Sequence, residues 1–183
     1  MSSPDGPRDL TFRPLTHDDL PLLAGWIAAD HVARWWGEPA DLAAVEAKYG
    51  PRVGGQGAAV ELIIELDGRP IGLIQRYRMT DHPAWDAAIR IPRAAGIDYL
   101  IGEADLVGLG LGPAVIGAFV PTVFDAYPDL DVVVAAPQQA NVASWRALEK
   151  AGFTRVRSGW LESDDPSDAG ESHVYVRRRS DPA

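Results

Sequence analysis

Leu20, Leu22, Leu23, Trp26 and Ile27 recur at helical spacing after Thr16, a side chain suited to N-capping, and predict a helix that ends near Ala29. A short strand, Leu10 to Pro14, precedes it. His31 to Trp36 reads as a short helical turn closed by Gly37, and Asp41 caps a helix that stops at Tyr49-Gly50. The apolar period then shortens. Val60 to Leu66 and Ile71 to Tyr77 flank Asp67-Gly68, a strong tight-turn signal, and predict an antiparallel hairpin whose connection Arg69-Pro70 lengthens. Gly96 to Ile101 gives the next strand, Gly112 to Asp125 a helix and Asp131 to Ala135 a buried strand. A helix over Asn141 to Ala151 and strands over Phe153 to Ser158 and His173 to Arg178 complete a mixed α+β order. Pro121 falls inside the Gly112 helix, where proline costs roughly 3 kcal/mol, so a kink is expected there. The polar tract Ser163 to Gly170 is expected to be a loop; residues 1–8 are expected to be a flexible N-terminus before a single domain over 9–180.

Composition narrows the function classes. Acidic residues outnumber basic ones by 26 to 17, a net charge of −9, which argues against nucleic acid or an anionic membrane and fits a cationic partner. With 183 residues and 46% apolar side chains, the chain suits one substantial core. There is no cysteine, which removes disulfides, thiolate metal sites and cysteine nucleophiles. His17, His31, His82 and His173 lack metal-ligand spacing, so no metal is expected. The longest nearly apolar stretch, Pro113 to Phe124, is too short to span a bilayer, and no apolar signal core opens the chain. The expected compartment is the cytoplasm.

One motif suggests an anion site. Val107-Gly108-Leu109-Gly110-Leu111-Gly112-Pro113 lies between a strand and an apolar helix; its alternate glycines let backbone N–H groups approach a phosphate, and the helix N-terminus favours negative charge. The run is equally compatible with a plain structural turn. A dinucleotide fold would place such a run near the start of a repeated βαβ pattern, and a P-loop would require Gly-Lys-Ser or Gly-Lys-Thr where Gly112 precedes Pro113.

Taken with Gly96-Ile97-Asp98-Tyr99-Leu100-Ile101, Val132-Val133-Val134, Asn141 and Glu149-Lys150-Ala151-Gly152-Phe153, this half of the chain resembles the acetyl-CoA core of the GCN5-related N-acetyltransferases. Trp35-Trp36-Gly37-Glu38 and Gly96-Ile97-Asp98 are similar to the aminoglycoside 6'-N-acetyltransferases within that superfamily. The resemblance implies a GNAT fold, a twisted mixed, mostly antiparallel sheet of about six to seven strands flanked by about four helices, whose strands ending near Ile101 and Ala135 splay apart. It implies acetyl-CoA as cosubstrate without a metal: pantetheine along Tyr99, Leu100 and Ile101, pyrophosphate on Gly108, Leu109, Gly110, Leu111 and Gly112, and Asn141 both capping its helix and holding the pantetheine arm. Val107 stands where the superfamily usually has Arg or Gln, so backbone amides would carry the phosphate.

Acyl transfer to an amine needs a neutral amine, a fixed approach to the carbonyl and a group to take the amine's proton. Asp98 is the first candidate for base and for substrate carboxylate, against the plainer role of a satisfied polar residue at a strand end. Trp36, with Trp35 beside it, offers an aromatic face for a cationic amino sugar, and Asp86 and Asp168 are candidate loop acids at the pocket mouth. The resemblance also shows departures. Leu148 stands where 6'-acetylating relatives carry a tyrosine placed to protonate the departing thiolate, and Gly57 and Ala136 stand where they carry acceptor-binding acids. A different aminoglycoside amine, such as a 2'-amine of the kasugamycin kind, is therefore an alternative to the 6'-amine. A siderophore-type lysine N-acyltransferase would carry His before Asp98, where this chain has Ile97, and a non-catalytic CoA- or drug-binding module rests only on the missing tyrosine. Either a monomer or a homodimer is compatible with the sequence.

Overall fold

The computed structural model describes residues 9–165 and 168–182; the expectation for residues 1–8 lies outside them. Seven strands form one sheet in the order β1-β2-β3-β4-β5-β7-β6. They are β1 (Leu10–Pro14), β2 (Ala59–Leu66), β3 (Arg69–Arg78), β4 (Ala94–Ile101), β5 (Val132–Ala135), β6 (Thr154–Leu161) and β7 (Gly170–Arg178). Every neighbouring pair is antiparallel except β4 and β5. The six helices are α1 (Leu20–Ala28), α2 (Asp30–Trp36), α3 (Leu42–Tyr49), α4 (Pro83–Ile89), α5 (Leu111–Ala126) and α6 (Val142–Lys150).

Strand alternation assigns the two faces of the sheet. Ile63, Leu73 and Leu100 point to one face and pack against Leu20, Leu23, Trp26 and Ile27 of α1 and Val45 of α3. Ile64, Ile74, Ile97 and Val133 point to the other and pack against Val115, Ile116, Phe119 and Val123 of α5 and Leu148 of α6. A third cluster joins Tyr77 and Met79 to Ile89 of α4 and to Val132, Val134, Val174 and Val176.

Three local expectations need correction. The hairpin connection is not lengthened: Leu66 pairs directly with Arg69, and Asp67 (φ 52°) and Gly68 (φ 77°) form a two-residue turn with both residues left-handed. Pro70 is absorbed by a register shift between Ile64 and Glu65 instead. Among the described residues there are six α-helices rather than about four, because the His31 segment is a full α2 and because α4, expected as loop, is a short helix started by Pro83 and ended by Arg90 in the left-handed conformation. Thr16 opens a 3-10 turn, His17–Asp19, before α1 proper; its N–H and hydroxyl both donate to Asp19. Helix α5 runs through Pro121 as one element, with the proline exposed.

Candidate active site

The parallel ladder between β4 and β5 is short, from Ala94↔Val132 to Gly96↔Val134. Beyond it the strands part, as expected, and Asp98 and Tyr99 line a cavity of about 500 Å³ together with Ala135 and Ala136 of the β5 end. Gln75 and Tyr77 of β3, Trp35 and Trp36 of α2, and Asn141 and Ser144 at the start of α6 line the same space.

Register explains how Asp98 is held. Glu61, Gln75 and Asp98 are cross-strand partners in one row over β2, β3 and β4, and Gln75 Nε2 donates to Asp98 Oδ2 at 2.7 Å. Tyr77 lies opposite Gly96, where an added Cβ would sit 2.3 Å from the Tyr77 ring. Glycine there lets the tyrosine lie flat across β4 with its hydroxyl bonding toward Asp98. Behind the row, Glu61 has a fully buried carboxylate, and Arg52 donates to its Oε1 at 2.9 Å.

These surroundings set the charges. Burial raises Asp98 above the usual carboxylate range, while hydrogen bonds from Gln75 and Tyr77 and the charges of His82 and Lys48 oppose the rise. Asp168, in the loop between β6 and β7, is pushed up to about 7 by burial and by the charges of Asp98 and Asp165. Its outer side is open to solvent. The aromatic wall is tethered: Trp36 Nε1 donates to the Tyr49 hydroxyl at 3.1 Å, and Tyr49 donates to Glu38 at 2.9 Å. Lys48 bridges Glu38 and Asp165, joining α3 to the β6–β7 loop across the cavity mouth.

The glycine turn sits at the N-terminus of α5. Gly108 (φ 80°) and Gly110 (φ 75°) are both left-handed, and a Cβ at either would meet nothing within 4 Å, so the turn is open on its outer side. Gly110 is the N-cap and offers no side chain to the first amides of α5. Gly112 packs against α6, its Cβ position 3.2 Å from that of Ala147. Asn141 caps α6, accepting from Ser144 N at 3.3 Å, and Gly152 ends it at φ 83°.

Residues 16–160 match the family described as Acetyltransferase (GNAT) domain. The chain is a GNAT acetyltransferase. It is 35% identical over 150 residues to the aminoglycoside N(6')-acetyltransferase type 1 of Klebsiella pneumoniae and to that of Serratia marcescens, covering 80% of this chain and 74% of each relative. Among solved structures, aminoglycoside acetyltransferase AAC(6')-Ib in complex with coenzyme A superposes with a TM-score of 0.82 at 31% identity, covering 93% of this chain and 95% of the other. The same enzyme with coenzyme A and kanamycin gives 0.81 at 31% identity over 93% and 95%.

In this acetyltransferase the residues singled out by sequence divide into groups. Trp35, Trp36, Asp98, Tyr99, Asn141 and Asp168 converge on one cavity. Leu100 and Ile101 continue β4 beyond it, and the Ile101 carbonyl already accepts from His31 Nε2 at 2.9 Å. Gly108, Leu109, Gly110, Leu111 and Gly112 form the separate turn at α5. Asp86 does not join the cavity: it is half-buried within α4, and that helix contributes Pro83, Ala84 and Trp85 instead. Ala136 lines the cavity with no charge, whereas Gly57 lies outside the lining. Sequence reasoning missed Gln75, Tyr77, His82, Trp85, Lys48 and Arg52. Alternation along β3 puts Gln75 and Tyr77 on one face, but nothing in their spacing says that Asp98 lies opposite.

Proposed function

We propose that this acetyltransferase moves the acetyl group of acetyl-CoA to the 6'-amine of an aminoglycoside, in the cytoplasm. The observation that carries the reading is the half-buried Asp98 at the point where β4 leaves β5, inside a cavity walled by Trp35, Trp36 and Asp168. Similarity to 6'-acetyltransferases, including one solved with coenzyme A and kanamycin, supports the same substrate class.

The residues present fit the cosubstrate. The outward-open Gly108–Gly112 turn and the first amides of α5 suit a pyrophosphate, and the gap between β4 and β5 suits an extended arm whose polar groups meet β4 and Asn141. Acetyl-CoA supplies the activated thioester when bound. Asp98 binds the acceptor ammonium, which gives up one proton to water to become the nucleophilic amine, and Asp98 takes the second proton as the nitrogen closes on the carbonyl carbon. Gln75 donates to Asp98 Oδ2 and Tyr77 to the same carboxylate, which fixes the orientation in which Asp98 meets the amine. Asp168 provides a second negative charge for a polycation, and the tethered Trp36 a ring face, worth about 0.5 to 2 kcal/mol to a cation.

Free thiol release and product mass, followed over a panel containing kanamycin, ribostamycin and a 2'-amine acceptor such as kasugamycin, test the assignment. Acetylation of kanamycin at its 6'-amine is expected. Turnover restricted to the 2'-amine acceptor would correct the position, and turnover with no member of the panel would refute the substrate class.

A further inference from the structure

Adjacent residues of a strand point to opposite faces, and this separates two tasks at the centre of the cavity. Asp98 points to the face covered by α1 and α3, with Gln75 and Leu100; Tyr99 points to the face of α5 and α6 and packs against that cluster. The Tyr99 hydroxyl reaches across the gap left by β5 to the first turn of α6, 2.8 Å from Ser144 Oγ and 3.3 Å from the Ser144 carbonyl oxygen. Both residues line the cavity. Ser144 and Leu148 are one turn apart on the same side of α6, and Leu148 is fully buried with no polar atom to offer.

Resting on the acetyl transfer proposed above, we propose that Tyr99 is a catalytic hydrogen-bond donor to the departing sulfur, with Ser144 as the positioning residue that orients it. As the new C–N bond forms, the C–S bond breaks and the sulfur leaves with the bonding pair as a thiolate. Tyr99 shares its proton with that thiolate without transferring it, and the amine's proton passes to Asp98 and then to water. Tyr99 donates to the Ser144 carbonyl oxygen at 3.3 Å, a long bond, and with Ser144 Oγ donating to the tyrosine oxygen at 2.8 Å the Tyr99 proton can exchange that carbonyl for the thiolate in the cleft.

The other two cavity phenols are committed elsewhere: Tyr49 donates to Glu38 and Tyr77 to Asp98. Burial raises Tyr99 well above the ordinary phenol range, with the charge of Asp98 adding to the rise and the bond with Ser144 opposing it, so the group stays protonated and donates rather than ionises.

The test uses the full chain with coenzyme A alone, titrating the bound thiol by its thiolate absorbance while calorimetry follows affinity. Wild type should hold the bound thiol below its value in free coenzyme A. Tyr99→Phe, which keeps the ring, should return it to that value with affinity for the thiol form unchanged, and Ser144→Ala should do so in part. With acetyl-CoA and a working acceptor, kcat of Tyr99→Phe should fall roughly 10- to 100-fold, the weight of one hydrogen bond to a charged group, with KM for acetyl-CoA little changed. The fall should shrink for thioesters of more acidic thiols, a pattern that a purely structural defect does not produce. A bound thiol that titrates alike in wild type and both variants would overturn the proposal while leaving acetyl transfer intact. Should Tyr99→Phe fail to fold, an unshifted thiol in wild type or in Ser144→Ala would overturn it equally. Absence of coenzyme A binding to wild type would overturn this proposal and the acetyltransferase reading together.

Discussion

Asp98 is useful because its neighbours disagree about its charge. Burial favours the neutral acid, and Gln75 and Tyr77 favour the carboxylate. Asp98→Asn removes the proton acceptor and should lower kcat by about 10²-fold or more, the usual size of a general-base contribution; an unchanged rate excludes the role. Gln75→Leu removes a bond that favours ionisation, so Asp98 should rise further and the acidic limb of the kcat/KM profile should move to higher pH. Asp168 permits a thermodynamic check. Its folded value, pushed up to about 7, lies above an ordinary carboxylate's, so its contribution to stability is fully present at low pH and is lost as pH rises through that value. Asp168→Asn should therefore raise Tm at alkaline pH relative to wild type. Just below that pH, a cationic acceptor should expel a proton from Asp168, visible as a buffer-dependent heat that the same substitution abolishes. At this scale the sequence exposed residues that sit in motifs: Asp98 in Gly-Ile-Asp, the tryptophan pair, and Asn141 before its helix. Gln75, Tyr77 and His82 reach the site only through strand pairing and the short α4, and Asp86 was misplaced because α4 turns Trp85 rather than Asp86 to the cavity.

Elements with strong local signals kept their sequence assignments. Helix α3 is opened by Asp41, which accepts from Ala44 N at 3.0 Å, and Asp41→Ala should cost about 1 kcal/mol in denaturant unfolding. Helix α4 was illegible because seven residues are too few for a helical period, although Pro83 at its start was a usable sign. Gly96 has a steric reason invisible in one dimension. An alanine there would drive its Cβ into the buried Tyr77 ring, so Gly96→Ala should destabilise by roughly 1–3 kcal/mol and, by displacing Tyr77 from Asp98, reduce turnover as well. A variant as stable and active as wild type would mean that the tyrosine is not held there.

Across the whole molecule, strand order decides where chemistry can happen. Six strand pairings include one parallel pair, and that pair separates after three residue pairs, so the sheet opens in its middle rather than at an edge. The acid-lined cavity at this opening includes Asp98 and Tyr99, and the glycine turn at the start of α5 lies outside its lining. Sequence patterning gave the strands that form this opening, and the family resemblance supplied their separation; no periodicity could have done so. The net charge of −9 adds a long-range attraction for a polycation, which added salt should weaken by raising the acceptor's KM more than acetyl-CoA's. The most direct test is product analysis after incubating the protein with acetyl-CoA and kanamycin. One acetyl group on the 6'-amine, with one free thiol released per acetyl, is expected. Unmodified kanamycin alongside unconsumed acetyl-CoA, from a protein shown to bind both, would contradict it.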